Sequence, residues 1–335
     1  MSAVRAVARR FWAGELGSAG TVLSLALAPA EAIYRVAAGM RNRAFDRGLL
    51  DVVRVSVPVI SVGNIAVGGT GKTPFASWLA RDLALRAHRP AILHGGYAAD
   101  EPELHRRWTP DIPVYVEADR SAAAVRAAAD GATVLVLDDG FQHRRFQRDL
   151  DIVLVAAERW SGSTRLLPRG PWREPLSALR RADVVVVTRK TASAAAAWQT
   201  GCAIQELTGQ MPVVAHLRPT GWRRAGGEDG GRQAPVEAAL LVSGLAEPGL
   251  FVENARTAGA LLAGELAFAD HHSYTQADAR RILSMAAGRP IVTTEKDWTK
   301  LESWLGDAPV WLLEQQVVME SGDAILMNAI SQVLP

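Results

Sequence analysis

From residue 55 onward, short runs of β-branched and aliphatic residues alternate with alanine-rich stretches of helical spacing. The runs Val57 to Val62, Pro90 to Leu93, Thr133 to Leu137, Ile152 to Ala156 and Val184 to Val187 lack polar alternation. That pattern predicts strands covered on both faces, and strands alternating with helices predict an α/β fold with a mainly parallel sheet. A polar, glycine-rich stretch, Gly221 to Pro235, interrupts the rhythm and reads as a solvated hairpin or linker. Beyond it the pattern restarts in "ALLVSG", "GELAFADHH", "RPIVTTEKD" and "APVWLLEQ", four further strands of a second, smaller α/β unit. The expected division is an N-terminal segment over 1–54, a larger domain over 55–222 and a smaller one over 236–335.

The N-terminal segment follows a different pattern. Arg5, Arg9 and Arg10 precede the apolar stretch "TVLSLALAPAEAIYRVAAGM", and residues 1–54 hold eight arginines against four acids. The uninterrupted apolar run is about ten residues before Pro29 and Glu31, whereas a membrane span takes roughly 20. A basic, apolar-faced helix is therefore expected, either lying in the headgroup region of an anionic membrane or packed on the domain. Export is not expected, because an intact nucleotide loop follows.

Composition narrows the class. The chain has 335 residues, 49% of them hydrophobic, enough to bury a core in two domains of ordinary size. The net charge of +2 suggests no nucleic-acid partner, and the single cysteine, Cys202, excludes an internal disulfide and a cysteine-built metal site. The lone cysteine fits a reducing compartment, with the cytoplasm the default expectation.

The strongest chemical signal is Ala66-Val67-Gly68-Gly69-Thr70-Gly71-Lys72-Thr73, which has Walker A spacing with alanine at the leading glycine and sits between an expected strand and an expected helix. Gly68, Gly69, Thr70 and Gly71 let backbone N–H groups face phosphates, Lys72 reaches the β/γ-phosphates of ATP, and the Thr73 hydroxyl ligates Mg²⁺. The partner of such a loop is an acid at the end of a buried strand, and "TVLVLDDGFQHRR" supplies Asp138 and Asp139. Adjacent strand residues point to opposite sides, so one is expected to face metal and the other substrate or a structural partner. A solvated Asp-Asp-Gly turn is the competing reading.

Taken together, "PVISVGNIAVGGTGKTP", "ADEPELHRR", "VLDDGFQHRRFQRDLDIVLV", "RLLPRGPWREPLSALRRADVVVVTR", "FADHHSYT" and "IVTTEKDWTK" closely resemble the tetraacyldisaccharide 4′-kinase family, in that family's order and over most of the chain. The resemblance implies transfer of the ATP γ-phosphate to the 4′-hydroxyl of an acylated glucosamine disaccharide 1-phosphate in lipid A biosynthesis. It also implies Mg²⁺, peripheral or anchored contact with the cytoplasmic face of the inner membrane through the N-terminal segment, and action as a monomer. Two alternatives stay open on sequence: a kinase of another membrane glycolipid, or a membrane-associated ATPase switch.

The resemblance also distributes roles. A sugar hydroxyl needs a positioned base, and the family's acid–histidine pair falls on Asp100 and His271, with Lys72 as the third catalytic residue. Arg173 and Glu174 match a charged pair at the ATP phosphates or Mg²⁺, so the expected metal set is Thr73, Asp138 and Glu174. Asp139, Gln142 and His143 are expected to line the disaccharide site, and Arg120, with Arg144, to pair with phosphate oxygens. The "TTEKD" segment, with Thr294 to Asp297 at its end, belongs to the family pattern without an evident chemical role beyond shaping an interdomain cleft. One departure stands out: the family reads Ser-Arg-Gly-Tyr-Gly and runs on before its Asp-Glu-Pro, whereas "LHGGYAADEP" places His94 and Gly95 there and nearly lacks the insert.

Overall fold

The computed structural model describes residues 7–8, 10–96, 100–160, 164–226, 233–245, 248–270 and 272–334. A 30-residue helix, α1 (Gly17–Asp46), leads into an eleven-stranded sheet. Its first half comprises β1 (Val59–Asn64), α2 (Lys72–Leu85), β2 (Pro90–His94), α3 (Asp100–Trp108), β3 (Val114–Val116), α4 (Arg120–Ala129), β4 (Val134–Asp138), β5 (Leu150–Ala156), β6 (Val184–Arg189), α5 (Ala194–Thr208) and β7 (Val213–Arg224). Then come β8 (Ala239–Ser243), α6 (Pro248–Thr257), β9 (Leu262–Ala267), α7 (Gln276–Ala286), β10 (Ile291–Thr294), α8 (Glu295–Leu305), β11 (Val310–Ser321) and α9 (Asp323–Val333).

The sheet order is β3-β2-β4-β1-β5-β6-β7-β11-β10-β8-β9, and every neighbouring pair is parallel except β7 and β11. All residues of β1, β2, β4 and β5 are buried, as strands covered by helices on both faces must be. The nine strands read from the sequence are present. The two that were not, β3 and β7, lack the signal: β3 is three half-buried residues, and β7 mixes buried and open positions over twelve.

The polar stretch from Gly221 begins differently from expectation. Gly221 to Arg224 belong to β7, where Trp222 is buried and donates from Nε1 to the Ala258 carbonyl at 2.9 Å. Pairing with the twelve-residue β11 overrides the loop-like composition there, so the antiparallel ladder joins the two parallel halves into one sheet.

Pro29 interrupts the apolar run but lies inside α1, which continues through it. An interior proline costs a helix roughly 3 kcal/mol. Docking contacts on both sides of it offset that cost. Ser24 Oγ accepts from Arg165 and Arg169, each at 2.9 Å, and Glu31 Oε1 accepts the Leu166 backbone N–H at 2.9 Å. Further along, Tyr34 donates to the Arg173 carbonyl, and Arg144 donates to the Asn42 carbonyl and Asp46 while stacking over Phe45. The opposite side of α1 leaves Val22, Leu25, Ile33, Val36 and Met40 exposed, a stripe at helical spacing. By length and composition α1 is long and apolar enough to cross a membrane.

Candidate active site

The carboxyl ends of β1, β2 and β4, adjacent strands in the order β2-β4-β1, bring the phosphate loop, His94 and Asp138 together. Ligands of open parallel sheets bind at such strand ends. Between β1 and α2 the chain turns through Gly68 (φ 115°) and Gly71 (φ 85°), which caps α2. A Cβ at Gly71 would stand 2.5 Å from Leu217, and one at Gly68 would collide with the Arg159 guanidinium. Only glycine fits either place. The loop is braced from outside: Asn64 Nδ2 donates to Thr70 Oγ1 at 2.9 Å, Thr188 Oγ1 donates to the Thr70 carbonyl at 2.9 Å, and Lys190 Nζ reaches the Gly69 carbonyl at 3.1 Å. Lys72 and Thr73 form the first turn of α2, where Pro74 is tolerated because no N–H is needed.

Asp138, the last residue of β4, and Asp139, just beyond it, make different contacts. Asp138 is buried; its Oδ2 accepts from His105 Nε2 at 3.0 Å, and its Oδ1 has no hydrogen-bond partner among the described residues. Burial pushes its pKa up, but the hydrogen bond from His105 and the nearby charge of Lys72 hold it below the usual carboxylate value. Asp139 adopts φ 57°, a left-handed conformation rare for a side-chain-bearing residue and frequent at functional sites. Its carboxylate meets Lys72 Nζ at 3.5 Å and takes two contacts from Arg173 Nη1, at 3.0 and 3.1 Å. The lysine and arginine expected at phosphates thus flank one carboxylate at the mouth of the loop.

Glu174 and Gln142 continue this network. Gln142 Nε2 donates to the Asn64 carbonyl at 2.7 Å and to Glu174 Oε1 at 3.1 Å, while Glu174 Oε2 accepts from Asn42 at 2.8 Å and Arg181 at 2.9 Å. Three donors therefore hold Glu174, one of them from α1. His143 is half-buried near Arg120, Arg148 and Arg41; burial, then those cations, push its pKa down to about 4. Arg144 is committed to α1.

Asp100 opens α3, buried, with Lys300 Nζ at 2.9 Å and Lys296 Nζ at 3.7 Å from its Oδ2. Lys296 also lies 3.7 Å from Asp270, the residue before His271. His271 itself is outside the described residues. Its neighbour His272 bonds Asp278 at 3.0 Å and stacks on Phe268, serving the start of α7.

At the departure after β2, Arg120 occupies the space beside Gly95: a Cβ there would be 2.5 Å from its Nη2. No side chain fits at 95 unless Arg120 moves. His94 is buried, and its Nε2, Glu101 and Asp138 offer ligand atoms within 4.8 Å of one another. However, Gly96 N–H donates to His94 Nδ1 at 3.0 Å, so the ring proton sits on Nε2 and is given to Glu101 at 3.0 Å. His94 acts there as a hydrogen-bond donor rather than a metal ligand.

The family described as Tetraacyldisaccharide-1-P 4'-kinase matches residues 23–100 and 98–334. The chain belongs to the tetraacyldisaccharide 4′-kinase family. A tetraacyldisaccharide 4′-kinase from Anaeromyxobacter sp. (strain Fw109-5) is 40% identical over 327 residues, covering 88% of this chain and 87% of that protein. The one from Syntrophus aciditrophicus (strain SB) is 39% identical over 308 residues, covering 80% and 82%. Among solved structures, the "apo" form of LpxK from Aquifex aeolicus in complex with ATP shares the fold at TM-score 0.75 and 29% identity, covering 93% of this chain and all of that one.

Within this 4′-kinase fold the structure adds residues that sequence reasoning did not single out. Lys296 and Lys300 stand at Asp100, which gives the "TTEKD" helix a contact with the site. Its other members are structural: Thr294 Oγ1 caps α8 at the Asp297 N–H, Asp297 accepts from Tyr274 at 3.0 Å, and Glu295 accepts from Trp108 and Arg223. Lysines at i and i+4 share one helix face, which is the signal that finds both.

Proposed function

We propose that this chain transfers the γ-phosphate of ATP to the 4′-hydroxyl of a tetraacylated glucosamine disaccharide 1-phosphate, in the pathway to lipid A. The observation that carries the reading is the convergence, at the carboxyl ends of β1, β2 and β4, of the phosphate loop, the Lys72–Asp139–Arg173 cluster and buried Asp100, in a chain belonging to the 4′-kinase family.

The loop glycines and the N-terminus of α2 cradle the triphosphate, and Lys72, released from Asp139, follows the γ-phosphate. The residues for Mg²⁺ are Thr73, in the first turn of α2, and Asp138, whose buried Oδ1 has an unused acceptor site. An ion held by these residues would neutralise charge on the phosphate oxygens. Glu174 reaches it only if its three present donors rearrange. Asp100 takes the proton of the attacking hydroxyl, with His271 as its orienting partner; the shared contact of Asp100 and Asp270 with Lys296 supports the approach of that turn. Arg173 steadies the transferring group, His143 reads the sugar, joined by Gln142 once its bonds to Asn64 and Glu174 rearrange, and Arg120 offers a planar fork to phosphate.

The exposed stripe of α1 supports contact with the membrane that holds the acylated substrate, and a basic N-terminus favours an anionic surface. We place the protein at the cytoplasmic face of the inner membrane, where ATP is present, acting as a monomer with a kinase domain over 55–222 and a smaller domain over 236–335. The test is transfer of labelled γ-phosphate from Mg-ATP to tetraacyldisaccharide 1-phosphate in detergent micelles. Label in the disaccharide, with little ATP consumed when it is omitted, supports the kinase; equal ATP consumption with and without it favours the ATPase switch.

A further inference from the structure

Next to Asp138 lies a buried chain of polar groups of which the proposed chemistry uses Asp138 alone. Ser77 Oγ and His105 Nδ1 are 2.7 Å apart, and His105 Nε2 is 3.0 Å from Asp138 Oδ2. All three residues are at most 3% exposed. They come from three elements: Ser77 lies one turn after Thr73 on α2, His105 lies five residues after Asp100 on α3, and Asp138 ends β4.

The direction of the bonds follows from the groups. A carboxylate only accepts, so His105 Nε2–H donates to Asp138, and with one ring proton the Nδ1 accepts from the Ser77 hydroxyl. The result is a one-way chain in which every proton has a place. It fixes Asp138 by one oxygen and leaves the other, Oδ1, buried and unbonded among the described residues. A carboxylate free to rotate would bring either oxygen to that position. Here the imidazole selects one, and an apolar residue at 105 would leave both without partners. The same helix is pinned at its start by the His94 bond to Glu101, with the two imidazole rings 6.4 Å apart.

We propose that His105 is a positioning residue for Mg-ATP, setting through Ser77 and Asp138 the orientation of the carboxylate oxygen offered to the metal side of the nucleotide. The proposal rests on the assignment of Asp138 to Mg²⁺ above. It goes further in naming the side chain that makes Asp138 competent and in coupling the helix that carries Asp100 to nucleotide binding.

The test compares wild type with His105→Ala, His105→Gln and Ser77→Ala. Two readouts are used: ATP affinity titrated against Mg²⁺ by calorimetry, and the thermal shift given by ATP with and without Mg²⁺. Loss of an outer partner of a metal ligand weakens metal affinity about 10- to 100-fold. His105→Ala should therefore need about tenfold more Mg²⁺ for half-maximal ATP binding and lose most of the Mg²⁺-dependent thermal shift, with ATP binding in the absence of Mg²⁺ little changed. His105→Gln, which keeps a donor at the reach of Nε2, should recover most of the effect, and Ser77→Ala should fall between it and wild type. If His105→Ala does not fold, the other two variants decide. An unchanged Mg²⁺ titration in His105→Ala or, where that variant is unfolded, in Ser77→Ala overturns the proposal; so does a glutamine variant, folded, that binds Mg-ATP no better than wild type stripped of Mg²⁺. Absence of sugar phosphorylation by wild type would contradict the kinase reading instead, since the binding readouts are independent of transfer.

Discussion

Lys300 Nζ stands 2.9 Å from Asp100 Oδ2, an ion pair across two helices, α8 and α3, that lie far apart in the chain. The pair is close but is not aligned as a straight hydrogen bond. Asp100 is 4% exposed, and Lys300 and Lys296 stand beside its carboxylate. Removing one partner of a buried pair costs about 3–5 kcal/mol when the remaining charge is uncompensated. Because Lys296 remains, Lys300→Met should cost less, about 1–3 kcal/mol in urea unfolding. It should also lower kcat at least tenfold while leaving ATP affinity within about twofold, which binding and turnover assays separate. An unaltered kcat would detach the α8 lysines from the chemistry.

Glu31 anchors α1 by accepting the Leu166 N–H and pairing with Arg35 and Arg169. Burial raises its pKa, but these donors together bring it below the ordinary value. A depressed carboxylate gives stability that is present above its unfolded value, near 4.5, and lost as pH falls through the lower folded value. Wild type should thus lose stability relative to Glu31→Gln as pH drops below about 4.5, and the glutamine variant should be less stable near pH 7 by about 1–3 kcal/mol. Chemical denaturation at the two pH values checks both signs.

The exposed stripe on α1 gives a separate expectation. Ile33→Asp with Val36→Asp should cut binding to anionic vesicles about tenfold or more, because each buried aliphatic group contributes roughly 1.5–3 kcal/mol. Activity in mixed micelles at saturating substrate should stay within about twofold. Co-sedimentation with vesicles reads the first effect, and equal sedimentation of variant and wild type would remove α1 from the membrane.

His143 titrates in the opposite sense to a salt-bridged histidine. Its pKa of about 4 in the fold lies below the unfolded value of 6.5, so the unfolded chain binds more protons between those limits. Its contribution is fully present above about 6.5 and falls as pH drops toward 4. His143→Gln should flatten that part of the stability curve, with little change above pH 7.

Much of this arrangement was legible in the sequence because its signals are local. The strand–loop–helix over 57–85 and the Asp-Asp pair at a strand end follow from side-chain periodicity and glycine placement. What the sequence concealed depends on contacts between distant segments. The last residues of β7 read as part of a linker because of their glycine-rich, polar composition, and only the ladder with β11 makes Gly221 to Arg224 a strand. Pro29 and Glu31 shorten the apolar run, yet α1 runs on past both because the loop around Leu166 and Arg169 grips the helix on either side. His105 sits in an ordinary-looking run, "PELHRR"; nothing local tells that it faces Asp138 rather than water. The replacement of an expected arginine by Gly95 was visible, but Arg120 packing against that glycine was not.

The most direct test of the kinase reading is single-turnover phosphate transfer from Mg-ATP to tetraacyldisaccharide 1-phosphate by wild type and Asp100→Asn, with ATP affinity measured on both. The expected result is labelled 4′-phosphate from wild type, a loss of about 10²-fold or more in the asparagine variant, and ATP affinities within about twofold of each other. Transfer at equal rates by both proteins would contradict the placement of the base, and no transfer by wild type with ATP bound would contradict the function.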